Sequence, residues 1–146
     1  MRLGGADLLQ SLLYGNGLTL WKNFSPDNEL YQLIVEQGAT KIINRFYART
    51  DKQNITGIID GVTAANNEAL TYNDAARLSA ASGSYGTRAW TYDANGNRTS
   101  ETANGVIDTY YYVTNSNRLS NIARNAVATR IFSYDAAGNV VRKRPA

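Results

Sequence analysis

Tyr92-Asp93-Ala94-Asn95-Gly96-Asn97-Arg98-Thr99-Ser100 puts an aromatic residue, a run of turn formers and a β-prone pair within nine positions. Asn95-Gly96 is a hairpin dipeptide, because both residues tolerate positive φ. Trp90 and Tyr92 before the turn, and Thr99 after it, favour strands. Further along, Tyr134-Asp135-Ala136-Ala137-Gly138-Asn139-Val140-Val141 repeats the arrangement. Leu70-Thr71-Tyr72-Asn73-Asp74-Ala75-Ala76-Arg77-Leu78 and Tyr110-Tyr111-Tyr112-Val113-Thr114-Asn115-Ser116-Asn117-Arg118-Leu119 align with both. Each has a large apolar residue, a spacer, a tyrosine, a polar turn, and then a basic or apolar residue.

Two weaker copies precede these four. Arg49 takes the tyrosine position in Tyr47-Ala48-Arg49-Thr50-Asp51-Lys52-Gln53-Asn54-Ile55, and Phe24 takes it in Lys22-Asn23-Phe24-Ser25-Pro26-Asp27-Asn28-Glu29-Leu30. The anchors Phe24, Arg49, Tyr72, Tyr92, Tyr112 and Tyr134 follow one another at steps of 25, 23, 20, 20 and 22 residues. A period of this length holds two strands and two turns, so the repeat predicts tandem antiparallel β-hairpins. Strands are expected near 88–93, 98–103, 106–113, 118–124, 127–134 and 139–143. Asn16-Gly17, Asp60-Gly61 and Asn104-Gly105 are further hairpin dipeptides, and Gln37-Gly38 reads as a turn. Ser25-Pro26 could open a helix, with Leu30, Leu33 and Ile34 at helical spacing. Tyr31, Leu33 and Val35 also alternate, and the repeat register favours the strand. Residues 6–14 admit one short helix. Residues 142–146 read as a frayed end. The fold class is all-β: hairpins forming a curved sheet or partial β-shell, in one domain over 1–146.

Composition narrows the chemistry. The chain has 146 residues and a net charge of +3, with 43% apolar and only 18% charged residues. It has no Cys and no His. That removes disulfides, thiolate nucleophiles, zinc–thiolate sites, imidazole bases and Ser-His-Asp triads. The most apolar early stretch, residues 8–14, is far short of the ~20 residues of a transmembrane helix, and Asp7 and Gln10 make it a poor signal peptide. The sequence therefore assigns no localisation by itself.

The segments 92–100 and 134–141 resemble YD repeats. These are the tandem units of Rhs (rearrangement hotspot) proteins, insecticidal toxin-complex shell components and teneurins. Tyr14-Gly15-Asn16-Gly17-Leu18-Thr19 is similar to a segment frequent in bacterial Rhs shells. The resemblance covers about residues 10–143. It implies a β architecture whose long members wind hairpins into a closed shell around a toxin, and it implies secretion or cell-surface delivery from a bacterium. The family's shell-closing, self-cleaving segment is not visible after Val141, and no toxin domain follows. A short array, truncated or cut from a longer parent, is the expectation.

Asp93, Asn95 and Asn97 stand at positions 1, 3 and 5 of a calcium-type loop, but Arg98 replaces the glycine and Asn104 the bidentate glutamate that such a loop needs. A turn role is the expectation for Asp93 and for Asp135. A hydrolase would need two carboxylates across a cleft, and most of the twelve here lie in repeat turns. Residues 74–146 carry nine Lys/Arg against five Asp/Glu. That modest excess recurs with the repeat, which argues for arginine packing on tyrosine rings rather than for nucleic acid. The aromatic ladder Tyr47, Trp90, Tyr110 and Phe132, with the column Tyr72, Tyr92, Tyr112 and Tyr134, could line a sugar-binding face, but cross-strand packing is the simpler account. The expectation is a non-enzymatic scaffold with no catalytic residue, metal or cofactor. Its partners would be the rest of a shell, or copies of itself meeting at open strand edges, with a toxin segment or glycan as further candidates. A carbohydrate-binding module and a carboxylate-dependent hydrolase are the rival readings.

Overall fold

The computed structural model describes residues 2–3 and 8–145, with side chains from Leu8 to Val141. Among them are fourteen strands. They are β1 (Arg2–Leu3), β2 (Leu9–Leu13), β3 (Leu18–Phe24), β4 (Leu30–Gln37), β5 (Thr40–Arg49), β6 (Ile55–Asp60), β7 (Glu68–Tyr72), β8 (Leu78–Gly83), β9 (Gly86–Tyr92), β10 (Arg98–Ala103), β11 (Val106–Tyr112), β12 (Leu119–Arg124), β13 (Val127–Tyr134) and β14 (Val140–Pro145). The one helical element is a 3₁₀ turn, Ala64–Asn66. The all-β expectation holds, and the predicted strands lie within two residues of those found.

Two compact units divide the chain. One runs to Thr71 and includes Ser82–Tyr85; the other comprises Tyr72–Ala81 and everything from Gly86 on. In the first, β1 to β7 pair in sequence order, each antiparallel to its neighbour. In the second, β8 to β14 follow in sequence order, and β9 to β14 are each antiparallel to the next. Such a meander needs no crossover, so short connections suffice.

One turn recurs after five of the six anchors. The residue after the anchor accepts from the amide three positions on, and its own amide donates to the carbonyl four positions on. This occurs at Ser25–Glu29, Thr50–Asn54, Asn73–Arg77, Asp93–Asn97 and Asp135–Asn139. It is the three-residue hairpin loop, whose last loop residue must be left-handed. That residue is Asn28, Gln53, Ala76, Gly96 or Gly138, with φ between 56° and 88°. Glycine is favoured there because it has no Cβ to clash with the following carbonyl, and asparagine because its short polar side chain bonds the local backbone. The turn at Val113 carries one extra residue, closing from the Val113 amide to the Arg118 carbonyl at 2.8 Å.

A bulge follows the turns at Phe24, Arg49, Tyr92, Tyr112 and Tyr134. Asn23 and Phe24 face Gln32 and Leu30, leaving Tyr31 extra. Thr56, Thr99, Ser120 and Val141 are the extra residues at the later anchors. Each bulge raises the local twist of its hairpin.

Four readings change. Of residues 6–14, those that are described hold no helix: Leu9–Leu13 is a strand paired with β3. The ladder to Leu20 and Trp21 satisfies the backbone that an isolated helical turn would leave costly. The end read as frayed is paired as far as Pro145, with Phe132 opposite Lys143. Asp60-Gly61 opens a longer loop rather than a tight hairpin, because Asp60 Oδ1 accepts the amides of Val62 and Thr63, both at 2.9 Å. Arg118, which aligns with Arg98 by eye, closes its turn as Arg77 and Asn97 close theirs; the extra residue at 113–118 displaces the alignment by one.

Little is buried. Among the described residues only Asn44, Ala81, Ile122 and Ala123 are largely removed from solvent. Stability must come from hydrogen bonds and cross-strand contacts rather than from a deep core.

Ala76, at φ 56°, is the alanine in the left-handed turn position. Ala76→Gly should raise stability by about 0.5 kcal/mol, the relieved strain exceeding the glycine's extra unfolded-state entropy. Urea unfolding would show the midpoint moving up with an unchanged slope; a lower midpoint would contradict this account of the turn.

Candidate functional site

The tyrosine column lies at the junction of successive repeats in the second unit. Tyr92 donates its hydroxyl to the Leu78 carbonyl at 2.7 Å, Tyr112 to that of Arg98 at 2.8 Å, and Tyr134 to that of Leu119 at 2.8 Å. The bulges explain why the Arg98 and Leu119 carbonyls are free. β10 pairs with β11 only as far as Ser100, and β12 with β13 only as far as Asn121. Beyond those points the strands part, and a tyrosine hydroxyl takes the place of the backbone donor.

The arginines lie over the rings. The Arg77 guanidinium sits 4.9 Å from the Tyr92 centroid, and that of Arg118 sits 5.7 Å from the Tyr134 centroid. Arg98 lies 5.8 Å from Trp90 and 5.7 Å from Tyr110. Such contacts contribute about 0.5–1 kcal/mol each where exposed. Arg77 also reaches forward to donate to the Asp93 carbonyl of the next turn at 3.0 Å.

Glu101 joins this face. It meets Arg88 at 2.7 Å and Arg98 at 3.3 Å, and it accepts the Tyr110 hydroxyl at 3.0 Å. Burial alone would raise its pKa, but the hydrogen bonds from Tyr110 and Arg88 and the two positive charges hold it below the ordinary value. Burial raises the Tyr110 phenol. Asp108 is held low chiefly by hydrogen bonding to Arg124, whose Nε and Nη2 reach its two oxygens at 2.8 and 2.9 Å. Each of these carboxylates is thus engaged by arginine.

Asp93 and Asp135 occupy their turns as expected. Each accepts the backbone amide of the residue four on at 2.8 Å through Oδ1, and that residue's side-chain amide at 2.9 Å through Oδ2. Those bonds, from Asn97 and Asn139, lower both pKa values. Both oxygens of the first calcium-loop position are therefore spoken for. No group of three or more acidic residues among the described residues could hold a metal ion.

The first unit has a polar row that the sequence did not disclose. Trp21 Nε1 donates to Glu36 at 2.8 Å, Asn23 donates to Gln32 at 2.8 Å, and Gln32 donates to the buried Asn44 at 2.9 Å. The Gly61 amide in turn donates to the Asn44 carbonyl at 2.7 Å. The signal was period-two placement of Trp21 with Asn23 and of Gln32 with Glu36, readable only once β3, β4 and β5 are set in register.

No protein-family model and no curated protein matches the chain. Solved structures of Tc toxin complexes do. The Photorhabdus luminescens Tc holotoxin pore matches at a TM-score of 0.72 and 14% identity, over 96% of this chain and 9% of that one. TcdB2-TccC3 matches at 0.71 and 14%, over 95% of this chain and 10% of that one. TcdB2-TccC3-Cdc42 matches at 0.67 and 16%, over 88% and 8%. The likeness shows a shared fold, and the chain spans about a tenth of the length of the proteins it matches.

Tyr112→Phe deletes one hydroxyl and strands the Arg98 carbonyl. It should cost about 1–2 kcal/mol of stability, seen in the urea midpoint, whereas Tyr111→Phe on the other face should cost little. Equal effects would contradict the inter-repeat bond.

Acid sensitivity follows from the turn aspartates. A carboxylate with a lowered folded pKa adds stability that is whole above its unfolded value and lost as pH falls through the folded one. For Asp93 and Asp135 that window opens near 3.8 and extends downward. Thermal melts should therefore be flat near neutrality and fall below about pH 4, and Asp93→Asn with Asp135→Asn should flatten the fall. An unchanged acid limb in the double variant would exclude these turns as its source.

Proposed function

We propose that the chain is a YD/Rhs-type repeat array and serves as wall material in a toxin-associated shell, without catalytic activity. The observation that carries this reading is the recurrence of one bond, tyrosine hydroxyl to the preceding repeat's carbonyl, at Tyr92, Tyr112 and Tyr134. An identical junction at every step suits a surface extended unit by unit, whereas catalysis needs one asymmetric constellation. The fold shared with parts of Tc toxin complexes supports the toxin context and a bacterial source. This reading assigns no catalytic residue, metal or cofactor to the chain.

The partners follow from the strand edges. β14 pairs with β13 along one side, and among the described residues no strand pairs its other side. An unpaired edge offers a row of donors and acceptors to another chain. The natural occupant is a further stretch of wall, either the remainder of a shell or a second copy.

Light scattering across a wide concentration range tests this. The average mass should rise with concentration as edges pair. A strict monomer at the highest concentration would sink edge-joined assembly, and turnover of a glycan, peptide or nucleic acid lost with a single carboxylate would sink the non-enzymatic reading.

A further inference from the structure

Successive turns at one end of the second unit are separated by gaps, and the residue that closes each turn determines what fills the gap. Arg77 closes the turn that begins at Asn73. Its guanidinium crosses to the next turn, lies 4.9 Å from the Tyr92 ring centroid and donates to the Asp93 carbonyl at 3.0 Å. That carbonyl also accepts the Gly96 amide at 3.1 Å, so both of its lone pairs are used. Arg118 closes the turn that begins at Val113 and crosses in the same way. It lies 5.7 Å from the Tyr134 centroid, with Nη2 3.2 Å from where a Gly138 side chain would begin. Each of these two gaps is filled by a guanidinium held against a tyrosine ring.

The gap between them is built alike and lacks its cation. Asn97 closes the turn that begins at Asp93. Its carboxamide stops at Asn117 Oδ1, 2.9 Å away. Among the described residues no guanidinium lies over the Tyr112 ring. The Val113 carbonyl, counterpart of the Asp93 carbonyl, accepts the Ser116 amide at 3.0 Å and has no side-chain donor among the described residues. What remains is a cleft of about 720 Å³ whose lining includes Tyr112, Val113, Asn95 and Asn115, with Asp93 as its one charged residue. The field of Asp93 reaches the ring: burial first, and the Asp93 charge after it, raise the Tyr112 phenol above its ordinary pKa. An aromatic ring, a carbonyl lone pair and a carboxylate therefore converge with no cation among them.

We propose that this cleft receives the side chain of an arginine presented by a second polypeptide. The fold itself supplies two precedents for the group, at Arg77 and Arg118. A flat guanidinium stacks on an aromatic ring while its N–H groups reach carbonyls, and a compact ammonium does this less well. An anion would meet the Asp93 charge with no cation in the lining to offset it. At the neighbouring gaps the arginine stem enters from the wall, whereas an arginine from outside must bring its own backbone. The middle gap has room for one. Its far turn, 113–118, carries one extra residue. The Asn95 and Asn115 side chains beside it are exposed and make no hydrogen bond among the described residues. Each carboxamide offers a donor and an acceptor to a peptide group. The assignment does not depend on the wall reading, which concerns strand edges rather than turns.

Amide chemical shifts of the full chain would be followed during titration with the tripeptide amide acetyl-Gly-Arg-Gly, its lysine and citrulline counterparts, and ethylguanidinium. Expected is a saturable shift of residues 93–97 and 112–117 with the arginine peptide, weakening as salt is added. The lysine peptide should bind several-fold more weakly. The citrulline peptide, of the same shape without the charge, should bind about tenfold more weakly. Ethylguanidinium should also bind several-fold more weakly, because it brings no backbone. Asn97→Arg fills the slot from within, as Arg77 and Arg118 fill theirs, and should remove binding while keeping the wild-type melting profile. Asn95→Ala should weaken the arginine peptide several-fold and leave ethylguanidinium unchanged. Four outcomes would overturn the proposal: no shift of these amides by the arginine peptide at tens of millimolar, equal binding of the lysine or citrulline peptide, ethylguanidinium binding as tightly as the arginine peptide, or undiminished binding by a folded Asn97→Arg variant. Should Asn97→Arg unfold, Asn95→Ala decides in its place, since the Asn95 side chain supports no turn bond.

Discussion

The bond from a tyrosine hydroxyl to the carbonyl just past the previous turn is the constraint on which the second unit depends. A meander held only by its ladder would be limited at every bulge, where one strand carries a residue that its partner cannot match. At Thr99 and Ser120 the mismatch frees the carbonyls of Arg98 and Leu119 from the next strand. Left unpaired and half-buried, each would cost about 1–3 kcal/mol. Tyr112 and Tyr134 supply the donor from across the gap. The bulge can then add twist without leaving an orphan behind it, and the repeat can be laid down again. A phenylalanine fills the same volume but cannot close this circuit, which is a physical reason for tyrosine at three consecutive anchors.

The arginines make sense on the same footing. With so few residues fully buried, the aromatic rings have no second layer to pack against. Guanidinium groups lie over them instead, bringing a flat apolar face to the ring and leaving N–H groups for carbonyls and for Glu101. This accounts for the placement of Arg77, Arg98 and Arg118. It also accounts for the lowered pKa of Glu101, which burial by itself would have raised.

Much of this was legible from residue order because the turn has a strict requirement. A left-handed residue three places after Asp93 or Asp135 must be glycine or pay strain, so Gly96 and Gly138 mark the repeat openly. Where the chain tolerates the strain, the mark vanishes. Asn125 and Ala126 form a two-residue hairpin at φ 50° and 62° with no glycine to announce it, and only the spacing of the flanking strand residues, 118–124 and 127–134, marks it in the sequence. The short helix allowed at residues 6–14 fails because local spacing carries no information about Trp21, whose strand claims Ser11. The equivalence of Arg98 and Arg118 fails for a different reason. A single added residue between Val113 and Arg118 is invisible to an alignment by eye, yet it decides which side chain closes the turn.

The contact between the second and third turns of the second unit, Asn97 to Asn117, was hidden for a related reason. It depends on residues 20 apart being neighbours in space, which holds only once the turns are known to stack at one end. Seen in that frame, the sequence contrast is plain: Arg77, Asn97 and Arg118 are three answers to one structural question, and the middle one differs. A repeat array proclaims its scaffold through what recurs. Recurrence cannot distinguish one step from the next, however, so any selectivity must sit where the pattern breaks. In the second unit the shortened side chain at 97 and the lengthened turn at 113–118 face each other across the same gap, two departures that are unrelated in sequence and coincide in space.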